Sequence, residues 1–76
     1  MTHIYLAKHD SEKNIHRFYQ IFVIPGLFND WSLTKEWGRV GSPGMVRNEW
    51  FTTEQEAELV SLKIISKKIK KGYRLK

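Results

Sequence analysis

The chain has 76 residues, of which 41% are hydrophobic; it contains three Trp, three Tyr and four Phe, no cysteine, and a formal net charge of +5. A chain of that length makes one domain, read here as residues 1–76, with a thin core. Without cysteine, disulfide staples and thiolate metal sites are excluded, so large apolar side chains must hold the core together.

His3 to Lys8 alternates and is rich in β-formers, which predicts a first strand, followed by a polar turn at Asp10-Ser11-Glu12-Lys13-Asn14. Its N-terminal context lacks an apolar h-region, so no signal peptide is read and the cytoplasm is the expected compartment. Ile15 to Ile24 predicts a long second strand. Phe18, Gln20, Phe22 and Ile24 share one face of it, and Arg17, Tyr19, Ile21 and Val23 the other.

Pro25-Gly26 stops that strand, and Trp31 to Val40 predicts a third. Its period of two puts Trp31, Leu33, Lys35, Trp37 and Arg39 on one side. Gly41-Ser42-Pro43-Gly44 predicts a tight turn, with Pro43 presetting φ and Gly44 taking the positive φ of a type II turn. Met45 to Phe51 then completes a hairpin as the fourth strand.

At Thr52-Thr53 the periodicity changes. Thr53 followed by Glu56 fits a capping box, and Glu54, Glu56 and Glu58 suit a helix N-terminus. Ala57, Val60, Ile64 and Ile65 follow helical spacing, flanked by Leu62 and Ile69, until Gly72 provides a C-terminal stop. Tyr73 to Lys76 has room for a short edge strand. The expected fold is α+β, a twisted antiparallel sheet of four to five strands packed against one C-terminal helix.

The charge is local. Residues 63–76 hold Lys63, Lys67, Lys68, Lys70, Lys71, Arg74 and Lys76 with no acid, whereas residues 1–62 carry six basic and eight acidic side chains. A basic patch on a near-neutral body suits an electrostatic docking surface; the plainer reading is a helix end whose cations complement the dipole.

Trp37-Gly38-Arg39-Val40-Gly41, followed by Ser42-Pro43-Gly44, is the most distinctive stretch, and it resembles the signature of the WGR domain. Asn14 with Arg17-Phe18-Tyr19 is similar to that family's N-terminal strand motif, and Phe51 followed by Glu56-Ala57 to its strand-to-helix junction. Lys67, Lys71, Gly72 and Tyr73 resemble the ending of bacterial members. The likeness covers nearly the whole chain in order. It implies a twisted sheet with one packed helix, and nucleic-acid binding without catalysis. In the poly(ADP-ribose) polymerases that carry this module, the motif's Trp and Arg lie at the DNA near a strand end, which carries the role to Trp37 and Arg39. No ADP-ribosyl transferase region lies within these 76 residues, so no such activity is carried over.

Physical chemistry makes the triplet suitable for DNA. An indole stacks on an exposed terminal base or sugar, and a guanidinium two residues along the same face pairs a phosphate bidentately. Gly38 between them clears space or serves close packing. The competing reading puts Trp37 in the core, with Arg39 covering it by cation–π contact. Lys63, Lys67, Lys70 and Lys71 are candidate phosphate contacts from the helix, with Arg47 on the fourth strand as a further one; about four such contacts give a log–log salt slope near −3.6. Trp31 and Trp50 are read as core, and Tyr73 as a packing residue that pins the chain after the helix.

His3, His9 and His16 lack the spacing of a compact ligand motif, so no metal or other cofactor is expected. No nucleophile elbow, phosphate-cradling loop or serine–histidine–acid order points to an enzyme. The expected partner is nucleic acid, with DNA favoured over RNA and duplex ends, nicks or 5′-phosphates as targets, bound by a monomer. The alternative is a protein-interaction module that recruits or regulates a separately encoded enzyme. Attachment to anionic membrane through Lys67 to Lys76 is disfavoured, because the sheet needs the helix's apolar stripe.

Overall fold

The computed structural model describes residues 1–76 as β1 (Thr2–Asp10), β2 (Ile15–Pro25), β3 (Trp31–Arg39), β4 (Met45–Phe51), α1 (Glu54–Lys70) and β5 (Arg74–Leu75). The strands form one antiparallel sheet in the order β4-β3-β2-β1-β5. The α+β expectation stands, and the short terminal strand pairs with the edge of β1 through Leu6–Leu75 and Ala7–Arg74.

Alternation decides what the sheet buries. In register, Leu6 of β1, Tyr19, Ile21 and Val23 of β2, and Leu33 of β3 project to the face that α1 covers. They pack with Ala57 and Ile65 of α1 and with Tyr73, while Ile4, Trp31, Trp37, Phe51, Val60 and Ile64 close the margins. Ser61 is also buried on the helix, and its hydroxyl donates to the Glu58 carbonyl oxygen at 2.8 Å, which removes the cost of an unpaired polar group. Leu62 and Ile69 lie on the flank of the helix and are exposed.

The helix begins and ends as its sequence dictates. Thr53 is the N-cap, its hydroxyl accepting from the Glu56 backbone N–H at 3.2 Å. At the other end Gly72 adopts φ +102, Gly72 N–H donates to Ile69 and Tyr73 N–H to Lys68. These are the two bonds of a Schellman ending, and they turn the chain so that Tyr73 drops into the core.

Two expectations need correction. In the β3–β4 connection the positive φ falls at Gly41, at +87, and the turn closes through Ser42 N–H to the Arg39 carbonyl; Gly44 has no positive φ. Gly44 is required instead by close approach: a Cβ there would sit 2.6 Å from the Trp37 carbonyl oxygen and 2.8 Å from Phe18. Trp50 is not core. It is 59% exposed, because Phe51 takes the covered face and its neighbour must point the other way.

Candidate nucleic-acid interface

The end of β3, the start of β2 and the end of α1 meet around an open concavity of about 490 Å³. Asn14, Ile15, His16, Arg17, Trp37, Gly38, Arg39, Lys68 and Tyr73 line it. Three basic side chains, Arg17, Arg39 and Lys68, thus surround one hollow, and no carboxylate lines it.

The sheet register explains why the cations meet. Arg17 stands directly opposite Arg39, and Tyr19 opposite Trp37. The neighbouring pair is bridged by Val40 N–H to the His16 carbonyl, so even-numbered positions exchange the backbone hydrogen bonds there. Arg17 and Arg39 consequently form a non-hydrogen-bonded pair, the arrangement that brings side chains closest. Like charges at directly opposed positions destabilise a sheet by roughly 0.2–1 kcal/mol. Arg39 is offset only by two long contacts to Asn14, with its carbonyl and side-chain oxygens each at 3.4 Å. Neither arginine has an ion-pair partner. Lys35, which bonds Glu49 at 3.1 Å, is the one Lys or Arg side chain in a salt bridge.

Aromatic rings share the hollow with the arginines. Trp37 is half-buried and stacks on Tyr19 with centroids 5.9 Å apart, and Tyr19 meets Tyr73 edge-on at 6.5 Å. Lys68 Nζ lies 4.5 Å from the Tyr19 centroid and 5.6 Å from that of Tyr73. The cation over an aromatic ring is therefore Lys68 over Tyr19, and not Arg39 over Trp37. Burial pushes the Lys68 ammonium below its ordinary pKa, and the charges of Lys71 and Lys35 push in the same direction. Burial likewise raises the Tyr19 phenol, helped by Glu49 and Tyr73.

Gly38 contributes backbone to the hollow. Its side-chain position faces the opposite side of the sheet, where a Cβ would meet Gly44 Cα at 3.1 Å and Phe18 at 3.6 Å. It therefore allows the hairpin to close against Phe18.

The helix lysines divide. At about 100° per residue, Lys68 lies within about 20° of the line through Ala57, Ser61 and Ile65. Lys71 and Lys67 sit about 80° and 120° from that line, on the flank opposite Glu58, whose carboxylate bonds Thr2 of β1 at 2.5 Å. Lys63 and Lys70 fall at about 160° to 180°, on the outer face. Arg47 is exposed on β4, opposite Lys35 and outside the concavity. The sequence reading grouped Trp37 and Arg39 with Lys63, Lys67, Lys70 and Lys71; in the structure the helix lysine that lines the concavity with Trp37 and Arg39 is Lys68. Lys68 follows the apolar spacing and Arg17 shares the Tyr19 face, so both were detectable from periodicity and register.

The histidines lie elsewhere in part. His3 stacks on Phe22 at 4.3 Å, and His9 and His16 face each other with their Nδ1 atoms 3.0 Å apart. No group of three His, Asp or Glu side chains is placed to hold a metal ion. No helix is long and apolar enough to cross a membrane.

A family profile described as "WGR domain" matches residues 2–76. The chain is similar to an uncharacterized protein, y4dW, of Sinorhizobium fredii (strain NBRC 101917 / NGR234), being 34% identical over 71 residues. That match covers 93% of this chain but only 35% of the relative, so the chain spans about a third of that protein's length. No solved structure matches.

Proposed function

The chain belongs to the WGR domain family, a family of small modules rather than catalysts, and from that premise we propose that it binds nucleic acid without catalysing a reaction, with duplex DNA as the favoured partner. The concavity takes a backbone phosphate at a strand end or nick. Arg17 and Arg39 bracket the phosphate oxygens, Lys68 supplies a third charge from the helix end, and the edge of Trp37 packs against the terminal sugar or base. Lys67 and Lys71 extend the positive surface along the flank of α1.

One observation carries this reading: two arginines stand at directly opposed sheet positions beside a group of aromatic rings, with a partly buried lysine next to them and no acid in the lining. The fold gains the contact of Lys68 with Tyr19 from that arrangement, but the opposed arginines work against it. A bound phosphate removes the repulsion between the arginines and restores the lysine's affinity for its proton.

Fluorescence anisotropy tests the proposal with blunt, nicked and uninterrupted duplexes, with and without 5′-phosphate, alongside single strands and RNA. The expected result is binding strongest for phosphorylated ends or nicks, with a log–log salt slope of about −4.5 from about five phosphate contacts. Absence of binding to every nucleic acid at low salt would overturn it.

A further inference from the structure

The two edges of the sheet are finished differently. The β5 edge is two residues long and is bracketed by Arg74 and Lys76, a short cationic edge of the kind that discourages pairing. The β4 edge runs for seven residues, Met45–Phe51, without proline. Met45, Val46 and Trp50 are exposed along it, at 66%, 58% and 59%.

The hydrogen-bond phase shows which groups are free there. Val40 N–H donates to the His16 carbonyl, so even-numbered residues of β3 bond β2 and odd-numbered ones bond β4. Across the β3–β4 register, Met45, Arg47, Glu49 and Phe51 therefore face β3. The backbone N–H and C=O groups of Val46, Asn48 and Trp50 point outward, unpaired by any neighbouring strand.

We propose that this edge pairs antiparallel with the same edge of a second copy, about a two-fold axis through Asn48, giving a continuous ten-stranded sheet with both helices on one face. The segment Met45-Val46-Arg47-Asn48-Glu49-Trp50-Phe51 is self-complementary in that register. Val46 falls opposite Trp50 of the second copy, a β-branched residue against an aromatic one. Asn48 falls opposite Asn48. Arg47 falls opposite Glu49, and Met45 opposite Phe51. The register places opposite charges together and apolar groups together at every position except the central Asn48 pair, and such pairings stabilise antiparallel strands.

The backbone phase agrees with the side chains. Pairing Val46 with Trp50 and Asn48 with Asn48 uses all the outward groups of both strands, two bonds at each of three positions. The Arg47–Glu49 pairs then occupy the close, non-hydrogen-bonded positions. Arg47, which has no acidic partner within its own chain, gains one; Glu49 is shared with Lys35. The exposure left to Trp50, whose ring edge lies against Gly26, is relieved against Val46. Strand addition of this length buries less than the roughly 1,200 Å² of a stable interface, so the dimer is weak and concentration-dependent.

Sedimentation velocity on the full chain across about 1 to 500 µM, a range spanning weak association, tests the proposal. The weight-average mass should rise from 9.0 kDa toward twice that value. Asn48→Pro removes an outward N–H and leaves the β3 ladder intact, as proline is tolerated on an edge; it should remain at 9.0 kDa throughout with an unchanged circular-dichroism spectrum. Arg47→Glu, which sets Glu against Glu49 of the second copy, should also hold the chain monomeric, and it decides the matter should Asn48→Pro fail to fold. A wild-type chain that stays monomeric at every concentration, or a dimer indifferent to Arg47→Glu, overturns the proposal.

Discussion

The two ends of α1 treat charge in opposite ways. At its N-terminus each anion is matched: Glu54 takes the terminal ammonium of Met1 at 2.5 Å, Glu58 accepts from Thr2, and Glu56 accepts from Thr52 and Thr53. Hydrogen bonding to Glu54 holds the Met1 ammonium above its ordinary pKa. At its C-terminus Lys68, Arg17 and Arg39 converge on one hollow without an acid, and burial pushes Lys68 the other way. The first end is built to be stable alone. The second carries repulsion that an anionic ligand would relieve, and the proposed function rests on that difference.

Removing the convergent arginines breaks that comparison most severely. Each hydrogen-bonded contact to a charged group is worth about 1.5–3 kcal/mol, so Arg39→Ala or Arg17→Ala should weaken binding to a phosphorylated nicked duplex by about 10- to 100-fold. Anisotropy measures the loss, and thermal melting should show the variants no less stable than the parent, because the opposed pair is gone. Equal binding by both variants and the parent would separate the hollow from recognition.

Lys68→Met should show a smaller loss of affinity, about tenfold, together with a gain in stability. The sign follows from linkage. A cation whose folded pKa is lowered is penalised by folding, so the penalty is fully present below the folded pKa and disappears as pH rises toward the unfolded value of 10.5. The parent's melting temperature should therefore carry a component that rises over that alkaline interval, and Lys68→Met should lack it. Melting curves from neutral to alkaline pH provide the check; a variant less stable than the parent at neutral pH contradicts the assignment.

The smallest effects sharpen the boundary of the surface. Lys67→Ala and Lys71→Ala, on the flank, should each cost about threefold and reduce the salt slope by about 0.9. Lys63→Ala and Lys70→Ala, on the outer face, should each stay within about twofold of the parent and leave the slope unchanged. The same salt series reads all four, and an inverted ranking would move the interface to the outside of the helix.

Much of this was legible in the residues. Strand alternation placed Trp37 and Arg39 on the same face as Leu33, and Thr53 and Gly72 marked where the helix starts and stops. The composition of the hollow was less legible, because it depends on cross-strand register: Arg17 opposes Arg39 only once β2 and β3 are aligned. Lys68 was obscured by its neighbours, since a run of lysines reads as one patch until helical phase separates the member that lies over Tyr19. Trp50 was misread because a large indole in a small domain suggests core, whereas its parity on an edge strand sends it outward. The turn misassignment has a similar cause, with Pro43-Gly44 drawing attention from the Gly41 that carries the positive φ.

The central claim is that the acid-free hollow between β2, β3 and the end of α1 receives a phosphate. Titrating the isotopically labelled chain with a short nicked duplex, followed by amide, indole and side-chain NMR resonances, tests it most directly. Shifts should concentrate on Asn14, Arg17, the Trp37 indole, Arg39, Lys68 and Tyr73, and fade along α1 toward Lys63. Shifts confined to the outer face of the helix or to the open face of the sheet, with those residues unmoved, would contradict it.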